Sequence, residues 1–235
     1  MKILPGPVIF DLDGTLLDTA PDLATALNKL LLEEGFEPLP LSAVRSMVGQ
    51  GAVQMIKRGF TESGKLPTEE KLHGKLRKRF LHHYENCYLN ETRPFPSVVT
   101  TLEKLKEAGH PMAVCTNKSY EMSVPILDGL NLGNYFHGVI GGNSLPTAKP
   151  DAAPLEAAIG LTKGSASAAI MVGDSITDVK AARSAKIPVI AVSFGYTDIP
   201  PIDLGADAVI DHFNELIPAI KRLSLKRKEK SEPSF

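Results

Sequence analysis

The sequence predicts an α/β fold in which a Rossmann-like, mainly parallel sheet core carries an inserted all-helical cap domain. Two patterns lead to this prediction. From residue 97 onward, short apolar runs alternate with helical stretches of about ten residues. Residues 18–92, in contrast, show helical patterns alone. The apolar run Val8–Phe10, which precedes the insertion, is β-branched and aromatic and is therefore expected to be the first buried strand.

The composition is ordinary for a globular chain. Its 235 residues, 43% hydrophobic and 23% charged, suffice for a core with an insertion. A net charge of -1 gives no general attraction to nucleic acid or to anionic membranes, and no apolar segment is long enough for a signal peptide or a membrane span. We therefore expect a cytoplasmic protein without nucleic-acid or membrane partners. The sequence leaves its oligomeric state open between monomer and homodimer.

Three regions are predicted along the chain. Residues 1–17 and 93–222 form the α/β catalytic core, and residues 18–92 form the helical cap. The boundary after the cap falls at Arg93-Pro94-Phe95-Pro96, because a helix cannot continue through these prolines. Residues 223–235 are rich in charged side chains and are predicted to be a disordered basic tail.

The helices of the cap are predicted from apolar spacing. Between Pro21 and Glu34, five residues recur at helical intervals: Leu23, Ala26, Leu27, Leu30 and Leu31. Further helices are expected over Ala43–Val48, capped by Ser42, over Ala52–Glu62, and from Thr68 through Tyr84. The basic run Lys71 to Arg79 is interpreted as the solvent-facing side of the last helix. The loop Gly49-Gln50-Gly51 is expected to reach over the core.

The core is predicted from alternating strands and helices. The expected strands after the first are Met112–Cys115, Val139–Ile140, Ala168–Val172, Val189–Val192 and Ala208–Ile210. The expected helices between and after them begin near Ser97, Ser119, Asp151, Ile176 and Asn214. In open α/β sheets, ligands bind beyond the carboxyl ends of the strands. An insertion that leaves the sheet just after the first strand is therefore expected to lie over such a site as a lid.

Two carboxylates follow the first strand. Asp11 and Asp13 are separated by one residue, so in an extended chain both project to one side, about 7 Å apart, while Leu12 points into the core. Two like charges held this close repel each other unless a cation lies nearby. The sequence therefore predicts a metal ion or cationic side chains at this strand end.

Other strand ends supply the remaining polar groups of one site. Thr116 and Asn117 follow the second strand, and Lys149 follows the third by a loop. Asp174 and Asp178 follow the fourth strand and lie on one face of a helix start. Several converging carboxylates favour a hard, oxygen-liganded ion such as Mg²⁺, which binds carboxylates, waters and a substrate phosphate.

These residue types match phosphoryl transfer. Asp11 is predicted to attack phosphorus as the nucleophile and Asp13 to act as general acid and base. Thr116, Asn117 and Lys149 are predicted to bind the substrate phosphate, with Thr116 and Lys149 stabilising its developing charge. Asp174 is the expected principal Mg²⁺ ligand. Asp178 is expected to orient Asp174 or a metal-bound water.

The chain resembles the haloacid dehalogenase superfamily of phosphohydrolases. The residues that carry the likeness are Asp11-Leu12-Asp13-Gly14-Thr15-Leu16, Thr116-Asn117, Lys149-Pro150 and Gly173-Asp174-Ser175 with Asp178. The resemblance covers about residues 8 to 220 and implies the roles given above, with Asp11 and Asp174 as Mg²⁺ ligands and Asp13 binding Mg²⁺ through its backbone carbonyl. It also implies that the helical insertion is a mobile cap.

Within the superfamily, the chain is most similar to the phosphoglycolate phosphatases. The stretches that carry this likeness are Asp18-Thr19-Ala20-Pro21-Asp22-Leu23, Val48-Gly49-Gln50-Gly51, Thr116-Asn117-Lys118, Gly141-Gly142-Asn143-Ser144-Leu145-Pro146 and Phe194-Gly195-Tyr196. One departure is Asn143, where many relatives have aspartate. The resemblance implies a small-molecule phosphate ester as substrate, most simply 2-phosphoglycolate.

Three alternatives remain open at the level of sequence. A sugar-phosphate mutase of the β-phosphoglucomutase kind would use the same core residues, as would a pyrophosphate or phosphonate hydrolase. A non-catalytic binding protein on the same fold would keep these residues without turnover. Arg45, Lys57 and Arg58 of the cap are candidates for binding the far carboxylate of the substrate, and Arg45 is the one that we assign to the substrate site.

Overall fold

A computed structural model describes the backbone of residues 5–231 and the side chains of residues 5–227. Its strands are β1 (Val8–Phe10), β2 (Leu17–Asp18), β3 (Arg93–Pro94), β4 (Met112–Cys115), β5 (Val139–Ile140), β6 (Ile170–Gly173), β7 (Val189–Val192) and β8 (Ala208–Ile210). Its α-helices are α1 (Ala20–Glu33), α2 (Leu41–Arg45), α3 (Ala52–Glu62), α4 (Glu69–Lys71), α5 (Arg77–Glu85), α6 (Val98–Glu107), α7 (Tyr120–Gly129), α8 (Ala152–Leu161), α9 (Ile176–Ser184) and α10 (Leu216–Ser231).

Six of the strands form one sheet in the order β5-β4-β1-β6-β7-β8. All of its neighbouring strands are parallel, and Val8 of β1 aligns with Met112 of β4 on one side and with Ile170 of β6 on the other. This arrangement confirms the predicted mainly parallel α/β sheet. Because β1 lies between β4 and β6, residues after β1 stand at the middle of the edge where parallel strands end.

Alternation along β1 explains how helices cover both faces of the sheet. Val8 and Phe10 belong to the apolar cluster that includes residues of α6, α10 and the inserted helices. Ile9 points to the opposite face, where it packs in the cluster formed with α8 and α9. All three residues are essentially inaccessible to solvent. Period-two alternation within a strand buried on both faces therefore accounts for the continuous apolar run.

Helices α1 to α5 lie between β2 and β3, which pair antiparallel with Leu17 opposite Pro94. This two-residue pair brings the start and the end of the insertion together at one point beside the sheet. The apolar stripe predicted on α1 is buried, as Leu23, Leu27 and Leu31 show. Between α4 and α5 the chain forms a π-helical turn, Leu72–Leu76, that kinks at Gly74.

The C-terminal segment differs from the prediction. The disordered basic tail expected from residue 223 is wrong for residues 223–231, which continue α10 to Ser231, and residues 232–235 lie outside the described part. The helix persists because Leu223 is buried in the core and Arg227 donates a hydrogen bond from Nη1 to the carbonyl oxygen of Ala169, 3.2 Å away. Its charged residues also have good helix propensity.

Smaller differences concern helix caps and membrane insertion. Helix α2 begins at Leu41 after Pro40, so Ser42 lies inside the helix and is not its N-cap. Asp151, near which a helix was expected to begin, is the N-cap of α8, because its side chain accepts a hydrogen bond from the backbone of Ala153. Within residues 5–231, we find no helix whose length and apolar character would allow it to cross a membrane.

Candidate active site

The two carboxylates after β1 lie at the centre of the site. Asp11 and Asp13 are 4% and 7% exposed, while Leu12 between them is fully buried in the core. The backbone N–H of Leu12 donates to Oδ1 of Asp11 over 2.7 Å and fixes that carboxylate. The predicted projection of both acids from the strand end, with Leu12 pointing inward, is thus present in the structure.

Lys149 joins Asp11 to Asp178. Its Nζ atom lies 3.0 Å from Oδ1 of Asp11 and 2.6 Å from Oδ1 of Asp178, and all three side chains are at most 5% exposed. Burial raises the pKa of Asp11 to about 6, and the positive charge of Lys149 keeps it from rising further. Burial also disfavours the ammonium form of Lys149, but the attraction of Asp11 and Asp178 outweighs this effect and raises the pKa of Lys149 overall.

Asp174 is held by the two loops beside it. Its Oδ1 accepts a hydrogen bond from Oγ1 of Thr15 at 3.1 Å, and its Oδ2 accepts one from the backbone N–H of Tyr196 at 2.8 Å. Burial, followed by repulsion from Asp178 and Asp11, raises the pKa of Asp174 to about 8. A carboxyl group with this pKa is in a place that needs more positive charge than Lys149 supplies.

Asp11, Asp174 and Asp178 together form a candidate metal site. One carboxylate oxygen from each lies within 4.8 Å of the others, and all three residues are buried. Two glycines leave room around Asp174. A Cβ atom on Gly14, whose φ is +80°, would lie 2.4 Å from Oδ2 of Asp174, and one on Gly195 would lie 2.2 Å from Cβ of Asp174. The donor set of carboxylate oxygens fits a hard divalent cation.

Asp13 is paired with Lys118, a residue that was not among the predicted site residues. Nζ of Lys118 donates to Oδ1 and Oδ2 of Asp13 at 3.0 and 3.1 Å, and Oγ1 of Thr19 donates to Oδ1 at 2.7 Å. Lys118 also lies over the ring of Tyr84, 4.6 Å from its centroid. The sequence could have indicated Lys118 as a site residue by its position, because it directly follows the Thr116-Asn117 pair at the end of β4.

Asn117 ties the inserted helices to the core. Its Nδ2 donates to the carbonyl oxygens of Gly49 and Lys149, each at 3.2 Å. Its buried Oδ1 has no hydrogen-bond partner among the described residues. Thr116 is 4% exposed, and its Oγ1 accepts a hydrogen bond from the backbone N–H of Lys118 at 3.3 Å. The glycine loop therefore reaches the core at Asn117, in agreement with the prediction for Gly49-Gln50-Gly51.

A cavity of about 320 Å³ lies between the sheet and the insertion. Five of the predicted site residues line it: Asp11, Asp13, Thr116, Asn117 and Lys149. The insertion supplies the facing wall, which includes Val48–Val53, Met55, Arg77, Phe80, Leu81 and Tyr84. Asp174 and Asp178 do not line the cavity. They are connected to it through Asp11, with which they form the carboxylate cluster, and Asp178 also through its ion pair with Lys149.

Arg45 was predicted from the sequence to bind the substrate. It is absent from the cavity wall and forms a bidentate pair with Asp18, with Nη1–Oδ1 and Nη2–Oδ2 distances of 3.0 and 2.8 Å. Asp18 also accepts a hydrogen bond from the hydroxyl of Tyr196 at 2.6 Å. The structure therefore does not bring Arg45 to the cavity with the other predicted site residues, and a carboxylate of the protein pairs with its guanidinium.

Asn143, the departure noted in the sequence, lines the cavity. Its Oδ1 accepts a hydrogen bond from the backbone N–H of Tyr120 at 2.9 Å, and its Nδ2 donates to the carboxylate of Glu121 at 2.9 and 3.1 Å. Only an amide can make both contacts, since an aspartate here would repel Glu121. Asn143 thus fits the local hydrogen bonding at the start of α7.

Comparison with known proteins agrees with this geometry. The model of the family described as haloacid dehalogenase-like hydrolase matches residues 8–192. A protein from Caulobacter vibrioides named phosphoglycolate phosphatase is 46% identical over 88% of this chain and 86% of its own length. Another of that name, from Agrobacterium fabrum, is 44% identical over 90% and 91% of the two chains.

Among solved structures, a crystal structure described as a predicted phosphoglycolate phosphatase from Haemophilus somnus is similar, with a TM-score of 0.85 and 31% identity. The alignment covers 92% of this chain and 98% of that one. The relatives and the family model support the prediction that this chain is a hydrolase of the phosphatase class. The chain belongs to the haloacid dehalogenase-like hydrolase family.

Proposed function

We propose that this protein is a Mg²⁺-dependent phosphatase that hydrolyses 2-phosphoglycolate to glycolate and phosphate through an aspartyl-phosphate intermediate. The observation that carries the proposal is the small cavity of about 320 Å³ whose floor holds Asp11 beside Lys149, with Asp13 and Thr116 next to them. The names of the relatives from Caulobacter vibrioides and Agrobacterium fabrum support this choice of substrate.

In the first step, a carboxylate oxygen of Asp11 attacks the phosphorus atom and the ester P–O bond breaks. A pKa of about 6 leaves Asp11 mostly ionised at neutral pH and therefore nucleophilic. The hydrogen bond from Leu12 and the ion pair with Lys149 hold the carboxylate in one orientation. Lys149 remains a cation and can stabilise the negative charge that develops on the phosphoryl oxygens.

Asp13 acts as general acid in the first step and as general base in the second. As a carboxylic acid it gives its proton to the departing glycolate oxygen. In the second step it takes a proton from water while the water oxygen attacks the phosphorus of the aspartyl-phosphate, so that phosphate leaves and Asp11 is regenerated. Lys118 and Thr19 hold Asp13 at one position, which favours transfer to a fixed leaving group.

Thr116 and Asn117 complete the phosphate site. The Oγ1 atom of Thr116 accepts from the backbone of Lys118, which leaves its hydroxyl proton available for a phosphoryl oxygen. Asn117 holds the Gly49 carbonyl of the insertion against the Lys149 carbonyl of the core. We infer that it positions the wall of the cavity as well as contacting substrate.

Asp11, Asp174 and the backbone carbonyl of Asp13 would hold the Mg²⁺ ion. A cation at this place is favoured by the raised pKa values of Asp11 and Asp174 and by the space that Gly14 and Gly195 leave around Asp174. A bound Mg²⁺ supplies positive charge that lowers the repulsion between the phosphate and the carboxylates. Asp178, which accepts a hydrogen bond from Lys149 and caps the start of α9, would keep the surrounding acids in place.

We further propose that residues 18–92 act as a cap over the core formed by residues 1–17 and 93–222. The insertion supplies the wall that faces Asp11, and its apolar residues would exclude bulk water during the first step. The pair β2/β3 holds both ends of the insertion at one place, which suits movement about that point.

A phosphate-release panel tests the proposal. Purified protein is incubated with 2-phosphoglycolate, pyrophosphate and a hexose 1-phosphate, each with Mg²⁺ and with a chelator. We expect free phosphate from 2-phosphoglycolate at the highest kcat/KM, and its loss with the chelator. Isomerised sugar phosphate without free phosphate would identify a mutase instead. Absence of turnover across the panel would contradict enzymatic function on these esters.

A further inference from the structure

Three cationic side chains line the cavity: Arg77, Lys118 and Lys149. Lys118 is paired with Asp13, and Lys149 with Asp11 and Asp178. Among the described side chains, residues 5–227, Arg77 has no carboxylate within 4.0 Å and no hydrogen-bond partner. The cavity thus contains one guanidinium whose charge the protein does not neutralise by a direct contact.

Arg77 stands in partly apolar surroundings, and the carboxylate of Glu121 interacts with its charge without an ion pair or a hydrogen bond. Arg77 is half-buried at the start of α5, and its neighbours on the cavity wall include Met55, Phe80 and Leu81. Met55 and Phe80 are at most 2% exposed. Apolar neighbours strengthen the attraction of a guanidinium for an anion, and the planar donors of arginine match a carboxylate with two parallel hydrogen bonds.

Several other cations of the insertion form ion pairs away from the cavity. Lys57 pairs with Glu69 at 3.0 Å on the outer surface, and Arg58 contacts Asp198 at 3.4 Å. Arg79, two residues beyond Arg77 on the same helix, pairs with Glu33 and Glu34. Arg45 pairs with Asp18 and is likewise absent from the wall, so among the described residues of the insertion Arg77 is the cation that lines the cavity.

We propose that Arg77 binds a carboxylate at the end of the substrate remote from the phosphate. The phosphate would lie at Asp11 and Lys149 on the core side, and Arg77 would contact the other end from the insertion side. The inference rests on the proposed function and narrows its substrate class to short phosphate esters with a second, carboxylate charge. It also means that substrate itself bridges core and insertion, because one charge is bound by each.

Binding to a variant that cannot turn over tests Arg77 separately from catalysis. In the Asp11→Asn protein with Mg²⁺, calorimetry compares 2-phosphoglycolate with 2-hydroxyethyl phosphate, which is similar in size but lacks the carboxylate. We expect 2-phosphoglycolate to bind at least about tenfold more tightly. Adding Arg77→Gln is expected to remove that preference. Adding Arg79→Gln, which removes a cation from the same helix outside the cavity, is expected to keep it.

The inference is overturned if the Asp11→Asn protein binds both esters with equal affinity. It is also overturned if adding Arg77→Gln lowers the affinity for both esters by the same factor, or leaves both affinities unchanged. If Arg77→Gln does not fold, as judged by circular dichroism, Arg77→Met replaces it, because methionine keeps helix propensity and the length of the apolar stem. Phosphate release by the wild-type protein is measured in parallel. A wild type that releases no phosphate contradicts the proposed function, while the calorimetric comparison still decides the role of Arg77.

Discussion

Lys149 lies 3.0 Å from Asp11, with its Nζ atom facing Oδ1, and both side chains are nearly inaccessible, at 1% and 5% exposure. The same ammonium group contacts Asp178 at 2.6 Å. One cation therefore contacts two buried carboxylates, and one of these is the proposed nucleophile. Breaking such a buried pair from one side leaves an uncompensated charge in an apolar surrounding.

Lys149→Met should therefore reduce both activity and stability. We expect kcat/KM for 2-phosphoglycolate to fall by at least about 100-fold, since a cation that stabilises developing charge is lost. Chelator-treated protein should lose about 3–5 kcal/mol of unfolding free energy at neutral pH, measured by denaturant titration. Lys180→Met, at an exposed position of α9, is the matched control and should change neither quantity appreciably. A stable and fully active Lys149→Met protein would contradict the assigned role.

Asp11→Asn should abolish phosphate release while leaving the fold intact. The amide keeps the shape of the side chain and its contact with the Leu12 N–H through the carbonyl oxygen, but it cannot form the aspartyl-phosphate. We expect kcat to fall by at least about 1,000-fold, with an unchanged circular dichroism spectrum. Retention of most activity by this variant would show that Asp11 is not the nucleophile.

Much of the fold and the core site could be predicted because local patterns determine them. The run Val8–Phe10 indicated a buried strand, and parallel topology then brings the residues after β1, β4, β5 and β6 to one edge. Asp11, Asp174 and Lys149 were found in this way. The helical character of α10 beyond residue 222 was missed, because a charged sequence does not reveal that Leu223 packs against the core.

The insertion side of the site could not be predicted with the same success. Helical periodicity shows which residues share a face, but not how several short helices pack together. Arg77 was interpreted as solvent-facing with its basic neighbours, yet the π-helical turn before α5 changes the phase of the helix and the side chain lines the cavity. Arg45 was assigned to the substrate because the sequence did not reveal its pairing with Asp18, 27 residues earlier, which is a tertiary contact.

Lys118→Met is expected to impair catalysis through Asp13. The variant removes both hydrogen bonds from Nζ to the Asp13 carboxylate and leaves the one from Thr19. A mobile general acid should lower kcat by about 10- to 100-fold. The measurement is steady-state phosphate release with 2-phosphoglycolate. Lys104→Met, on the exposed side of α6, is the control, and equal kinetics for the two variants would argue against a positioning role.

Arg45→Met is expected to act on the insertion as a whole and not on substrate choice. Burial raises the pKa of Asp18, but hydrogen bonds from Arg45 and Tyr196 outweigh this and lower it overall. The ion pair is about one-third exposed, so its loss should cost only about 0.5–1 kcal/mol. We expect kcat/KM for 2-phosphoglycolate and for 2-hydroxyethyl phosphate to change by the same factor. A selective loss with 2-phosphoglycolate would instead support direct contact of Arg45 with the carboxylate.

The cluster of Asp11, Asp174 and Asp178 predicts how pH and Mg²⁺ act together on stability. The folded pKa values of Asp11 and Asp174, about 6 and about 8, lie above the ordinary value of 3.8. The folded state therefore binds more protons than the unfolded chain in this range, so metal-free protein should lose stability as pH rises from about 4 to about 8.

Mg²⁺ should reverse this loss because it binds the deprotonated carboxylates in place of protons. At about 100 times its dissociation constant it should add about 2.7 kcal/mol, or about 5–10 °C in melting temperature, at pH near 8.5. At pH near 5.5 the gain should be much smaller, since Asp174 is then protonated. Thermal melts with Mg²⁺ and with chelator at both pH values measure the difference. Asp174→Asn should remove the response to Mg²⁺, and an equal Mg²⁺ effect at both pH values would contradict binding at this cluster.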